Sequence, residues 1–159
     1  MGTDAPRRAM MIEQIRSLPA RLEAAVSGLT DAQRTTRYLE GEWTVAQIVH
    51  HIADSHLNAF IRLKLILTED RPTLKPYNQE AWAETAEAVG PALEGSLALI
   101  RGLHQRWVAL LESLDDADWQ RAARHPESGA ITADDILATY SRHGETHLAQ
   151  IAKVLAAGG

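Results

Sequence analysis

The chain has 159 residues, 45% apolar and 23% charged, with a formal net charge of -5 and no cysteine. That is one domain's length, enough to bury a core, and the acidic balance argues against a surface that tracks nucleic-acid phosphates. The lack of cysteine excludes disulfides, zinc ribbons and a cysteine nucleophile, so any metal must be held by His, Asp or Glu.

The N-terminal "MGTDAPRRAM" lacks the apolar core of a signal peptide, and no apolar run approaches membrane-spanning length. A cytoplasmic location without a membrane partner is the expectation, with residues 1–159 forming a single domain and 1–7 flexible. The first predicted helix runs from about Arg8 to Ser27, with Ile12, Ile15, Leu22 and Val26 as its apolar stripe. Pro19 lies inside it and is expected to kink or divide it. The second begins after Thr44, a suitable N-cap, and continues to about Leu67. The stretch "TEDRPTLKPYNQEAWAE" reads as a long connection with a short helix around Gln79 to Glu84.

A third helix is expected from about Pro91 to Ser113, with proline in its first turn. In "DDADWQRAARHPESGAIT", His125-Pro126 and Ser128-Gly129 mark a turn or small hairpin. Thr132 followed by Asp135 then opens the fourth helix as a capping box, and that helix ends near Ala156. Four amphipathic helices of this length bury their faces together as a bundle. The second connection is too long for a tight antiparallel turn, so at least one crossover is expected.

The histidines are the chemically informative residues. At about 100° per residue, Ile136, Leu137, Tyr140, Gly144, Leu148, Ile151 and Leu155 share one arc of the fourth helix. His143 and His147 fall within or beside it, one turn apart, so their side chains converge on a point between helices. On the second helix, His56 is central to the arc of Val45, Ile48, Val49, Ile52 and Leu63. His51 flanks that arc on a stripe with Gln47, Ser55, Asn58 and Arg62, while His50 lies further round toward solvent. Spacing does not choose among His50, His51 and His56, and a lone His on an apolar face is usually a satisfied core residue. His104 and His125 are isolated and read as surface or turn residues. The four tryptophans (43, 82, 107 and 119) read as bundle anchors, and the acidic clusters Glu69-Asp70 and Asp115-Asp116-Asp118 as solvated helix ends.

The segment "GEWTVAQIVHHIADSHLNAFIRLKLILTEDRPTLKPYNQEAWAE" resembles the DinB/YfiT-like group of metal-dependent hydrolases, most closely its YfiT branch. "GSLALIRGLHQRWVALLESL", the "HPE" at 125–127 and "YSRHGETHLAQI" resemble that branch's third helix, hairpin and last helix. The resemblance implies an all-α, up-down-down-up four-helix bundle that forms a homodimer and acts on a small-molecule substrate. It also implies one divalent metal on three histidines, which in this chain are His51, His143 and His147. Relatives carry further histidines where this chain has Gly144, Glu145, Thr146 and Gln150, none of them an implied ligand.

Three neutral imidazoles leave a divalent ion its full charge and an open position. Such a site suits activation of water, or of a small thiol of the kind that related bacillithiol- and mycothiol-dependent transferases use. Imidazole suits zinc, nickel, copper or iron, with zinc or nickel expected. Asp54, one turn from His51, and Glu145 are candidates for supporting or proton-transfer roles. The non-catalytic alternative is a metal that staples the bundle or serves a sensor.

Overall fold

The computed structural model of the protein describes residues 3–159. Its four long helices are α1 (Ala5–Val26), α3 (Val45–Thr68), α5 (Glu94–Glu112) and α7 (Ala133–Ala157). Short helices α2 (Asp31–Thr35), α4 (Gln79–Ala83) and α6 (Asp116–Gln120) lie in the connections, and strands β1 (Ala122–His125) and β2 (Gly129–Thr132) form an antiparallel hairpin. Of the expected flexible segment, residues 1 and 2 lie outside the described residues. The amide of Thr3 donates to Asp134 at 2.7 Å, and Asp4 caps α1.

Local signals account for the helix starts. Thr44 with Gln47, and Thr132 with Asp135, form complete capping boxes at α3 and α7, each satisfying amides that a helix start leaves orphaned. At the other end of α3, Arg121 donates to the carbonyls of Ile66 and Glu69. The expected start of α5 needs correction. The helix begins at Glu94, because the carbonyl of Pro91 accepts from Arg34 and the first helical bond runs from Leu97 to Leu93. Pro19 does not divide α1, which continues through it to Val26.

Helix α1 packs on α5 and α7, and α3 packs on the same two. The order around the bundle is therefore α1, α5, α3, α7. Directions follow from named contacts. Arg8 meets Asp134 and Arg21 meets Glu145, so α1 and α7 run parallel. His50 meets Ser96 and His56 meets His104, so α3 and α5 are also parallel. Arg16 meets Glu112 and Arg101 meets Glu23, so α1 and α5 are antiparallel. This is the up-down-down-up bundle. The parallel α3–α5 pair requires the long crossover, which is stitched to the hairpin by Leu74 N–H to Arg124 O and Arg124 N–H to Pro72 O, both 2.8 Å.

The core divides into two apolar clusters. One, toward the hairpin, contains Ile15, Leu63, Trp107 and Leu137. The other contains Leu22, Ile48, Ile52, Ile100 and Val154. Between their levels lie His56, His104 and His143. Helices α1 and α7 approach closely beside that layer, since a Cβ on Gly144 would stand 2.8 Å from Cδ2 of Leu18. Among the described residues, no helix is long and apolar enough to cross a membrane. Leu22 is fully buried, so Leu22→Ala should cost about 3 kcal/mol of stability in chemical denaturation. Thr132→Ala, which removes only the α7 cap, should cost about 1 kcal/mol.

Candidate metal centre

Helices α3 and α7 cross with His51 facing His143 and His147. Each of the three offers a ring nitrogen, all within 4.8 Å of one another. Nε2 of His143 lies 3.1 Å from Nε2 of His51 and 3.1 Å from Nε2 of His147. Two imidazole nitrogens on one tetrahedral ion at the usual zinc–nitrogen length would stand about 3.3 Å apart. The spacing therefore fits a shared divalent cation, and the donor set suits zinc, nickel, copper or iron.

The second ring nitrogens of His147 and His143 are also engaged. Nδ1 of His147 lies 2.7 Å from Oε1 of Gln150, whose amide donates to Glu42 at 2.9 Å, and Glu42 also accepts from Lys153. Nδ1 of His143 lies 3.0 Å from Nε2 of His56. Nδ1 of His56 is 2.8 Å from Nε2 of His104, and Nδ1 of His104 is 2.6 Å from the carbonyl oxygen of Ile15. Ser55 Oγ lies 3.4 Å from Nε2 of His143. Trp43 covers one side, its ring 4.7 Å from that of His51 and stacked at 6.4 Å on that of His147.

The structure brings together the three histidines that the family resemblance implies, and revises the roles of their neighbours. His50 is buried rather than turned to solvent, because Gly90, ahead of α5, and Ser96, in its first turn, lie against its ring. Its Nδ1 lies 2.7 Å from Ser96 Oγ, away from the three-histidine cluster. His104 is not a surface residue but is 1% exposed, and His56 is fully buried against it. His125 holds the hairpin turn, where Nδ1 accepts from the amides of Glu127 and Ser128. Trp107 and Trp119 anchor the core, whereas Trp43 stands at the cluster.

The acceptors facing the imidazoles are Gln150 and His56, not Asp54 or Glu145. The carboxylate of Glu145 is held by Arg21 across α1. Asp54 lies among His50, Glu87 and Tyr77, with burial first and then Glu87 holding its pKa above the ordinary value. Gln150, Trp43 and His104 were the contributors that sequence reasoning missed. Only the one-turn spacing of His147 and Gln150 offered a local signal.

A cleft of about 250 Å³ opens at this end of the bundle, lined by Trp43, Glu80, His147 and Gln150 among others. A larger one of about 400 Å³ between α1 and α5 is lined by Arg16 and Arg101, both already paired with glutamates. Chemistry rather than size therefore locates the site.

Burial keeps the imidazoles neutral. It lowers the His51 pKa to about 4, with His147 adding to the effect. Burial likewise brings His104 to about 4, and brings His143 to about 3 with help from His147 and His51. His56, buried with His104 beside it, is held well below its ordinary range.

Comparison with known proteins identifies the family and the fold. The model of the DinB superfamily matches residues 14–151. A protein of Geobacillus kaustophilus named "Putative metal-dependent hydrolase" is 50% identical over 145 residues, covering 90% of this chain and 81% of that one. The structure of YfiT from Bacillus subtilis, described as "a probable metal-dependent hydrolase with an unusual four-helix bundle topology", superposes with a TM-score of 0.91 at 40% identity. The match covers 96% of this chain and 87% of YfiT. A mycothiol-dependent maleylpyruvate isomerase shares the fold at TM-score 0.64 and 18% identity, covering 91% and 60% of the two chains. This chain belongs to the DinB superfamily.

In the unfolded chain these histidines return toward 6.5, so between about pH 4 and 6.5 it binds protons that the folded protein refuses. Folding stability of the metal-free protein should be flat above about pH 7 and fall as pH drops through 6.5 toward 4. Denaturant midpoints across this range, with proton uptake on unfolding measured by calorimetry in buffers of different ionisation heat, check it.

Proposed function

We propose that this member of the DinB superfamily is a metal-dependent hydrolase holding one divalent ion on Nε2 of His51, His143 and His147. The observation that carries the reading is the convergence of these three nitrogens, with Nε2 of His143 3.1 Å from each of the other two, each on a ring kept neutral by its surroundings. The names of relatives up to 50% identical support it. When bound, the ion would supply a Lewis acid that lowers the pKa of an exogenous nucleophile, with water the first choice.

The protein's own residues do the positioning. Gln150, steadied by Glu42, orients His147. Trp43, whose Nε1–H donates to Glu80 at 3.2 Å, walls off His51 and His147 from one side. Substrate reaches the histidines over His147, through the cleft lined by Glu42, Trp43, Glu80 and Gln150. Ser55 Oγ stands beside the cluster, 3.4 Å from Nε2 of His143.

A second reading, transfer of a small thiol to an electrophile, uses the same open position. With no cysteine in the chain, the thiol must arrive as a cosubstrate. The isomerase that shares this fold is named as mycothiol-dependent, a likeness of fold alone. A stapling or sensing role would require the ion's remaining position to be closed by another protein group.

Alanine at His51, His143 or His147 should weaken zinc binding by more than about 100-fold, beyond the range typical of supporting residues. His125→Ala should leave it unchanged. Competition with a chromogenic chelator measures this, and a His143→Ala, His147→Ala double variant with full metal content would sink the ligand assignment. Chelation should abolish turnover of ester, amide or thiol-acceptor substrates, and zinc or nickel should restore it. Metal-loaded protein inactive on all of these, with a protein side chain as fourth ligand, would leave the staple in place of the enzyme.

A further inference from the structure

Pro19 has no amide hydrogen, so the carbonyl of Ile15, one turn earlier in α1, lacks its helical partner. A buried carbonyl of this kind needs another donor. The donor is Nδ1 of His104 on α5, at 2.6 Å. A carbonyl oxygen only accepts, so the proton at this contact belongs to His104.

The rest follows by elimination. His104 is 1% exposed, and among the described residues no carboxylate touches it. A neutral ring carries one N–H, so Nε2 of His104 is bare. The 2.8 Å contact from that nitrogen to Nδ1 of His56 then requires the proton on His56. Nε2 of His56 is therefore bare in turn, and its 3.0 Å contact with Nδ1 of His143 requires the proton on Nδ1 of His143. That leaves Nε2 of His143, the nitrogen facing His51 and His147, with a free lone pair. The chain of bonds visits α1, α5, α3 and α7, each link joining neighbours in the bundle.

We infer that His104 and His56 are positioning residues that transmit the acceptor character of the Ile15 carbonyl to His143, fixing the tautomer in which its Nε2 is free for a metal ion. The inference rests on the proposed metal site and adds how that site is prepared. A ligand must present an unprotonated nitrogen. Isolated imidazole can protonate either nitrogen, and the relay removes that choice before the metal arrives. His147 is prepared by a shorter route, since the Gln150 carbonyl oxygen 2.7 Å from its Nδ1 favours a proton there.

Long-range proton–nitrogen correlation spectra of the imidazoles test the relay in the intact chain. At pH 7.5, without metal, His104, His56 and His143 should all be Nδ1–H tautomers, and His104 and His56 should stay so after zinc is added. Nε2–H at any of the three in the metal-free protein, or at His104 or His56 in the zinc-loaded protein, overturns the inference.

Two variants provide a second readout. His104→Gln keeps a donor for Ile15 and an acceptor for His56, and should bind zinc within about threefold of wild type. His104→Leu removes both and should weaken zinc binding by about tenfold, the low end for a supporting residue of a ligating histidine. Equal zinc affinity in the two variants would also overturn it. If His104→Leu does not fold, the wild-type spectra still decide. Failure of wild type to bind zinc or nickel would count against the metal reading alone, because the metal-free tautomers are measured without it.

Discussion

An imidazole buried among apolar side chains costs free energy unless both ring nitrogens find partners, and this bundle buries several at one level. The arrangement of the four helices can be understood from that constraint. His56, fully buried, touches His104 on one side and His143 on the other, so α3 must have α5 and α7 as its neighbours. His104 needs the Ile15 carbonyl, which brings α1 against α5. The two apolar clusters supply most of the stabilisation through burial, while the polar layer between them demands a particular pairing of helices. The surface ion pairs, such as Arg16 with Glu112 and Arg101 with Glu23, involve half-exposed side chains. Pairs of that kind contribute little and report the packing more than they cause it.

Much of the fold was legible because its signals are local. The N-cap at Thr44, the capping box at Thr132, the turn at Ser128-Gly129 and the 3.6-residue apolar periodicity each sit within one element. The HxxxH pair was visible for the same reason. His51 was not separable from His50 and His56 by spacing, since the deciding fact is which neighbouring helix each face meets. His50 looked solvent-facing because nothing in α3 reveals that Gly90 and Ser96 come up against it. Pro19 read as a source of distortion, whereas its structural effect is the acceptor it leaves behind. Only the approach of α5, whose partner residue lies 89 positions away, makes that acceptor useful.

Asp54 and Glu145 illustrate a limit of reasoning by helical turns. Glu145 stands two positions from each of His143 and His147, about 200° of rotation, which takes it to Arg21 and away from the cluster. Asp54, three positions from His51, lies instead beside Glu87 and His50. Gln150, three positions from His147, returns to the same face. Carboxylates attract attention in a search for supporting residues, and here a neutral amide and a neutral imidazole occupy those places. Among the described residues no negative charge touches the three nitrogens, so an ion held there would keep its full electrophilic character.

Gly144 follows His143 directly, and its missing side chain is where Leu18 of α1 fits. Residues 18 and 144 thus divide one fixed volume between two helices. Leu18 also precedes Pro19, so any retreat of α1 to admit a larger group at 144 would carry the Ile15 carbonyl away from His104. The two positions form an evolutionary couple: a lineage that acquires a side chain at 144 is expected to shrink residue 18 rather than move the helix. Their substitutions in descendants of this chain should be correlated even though neither residue bears any chemistry.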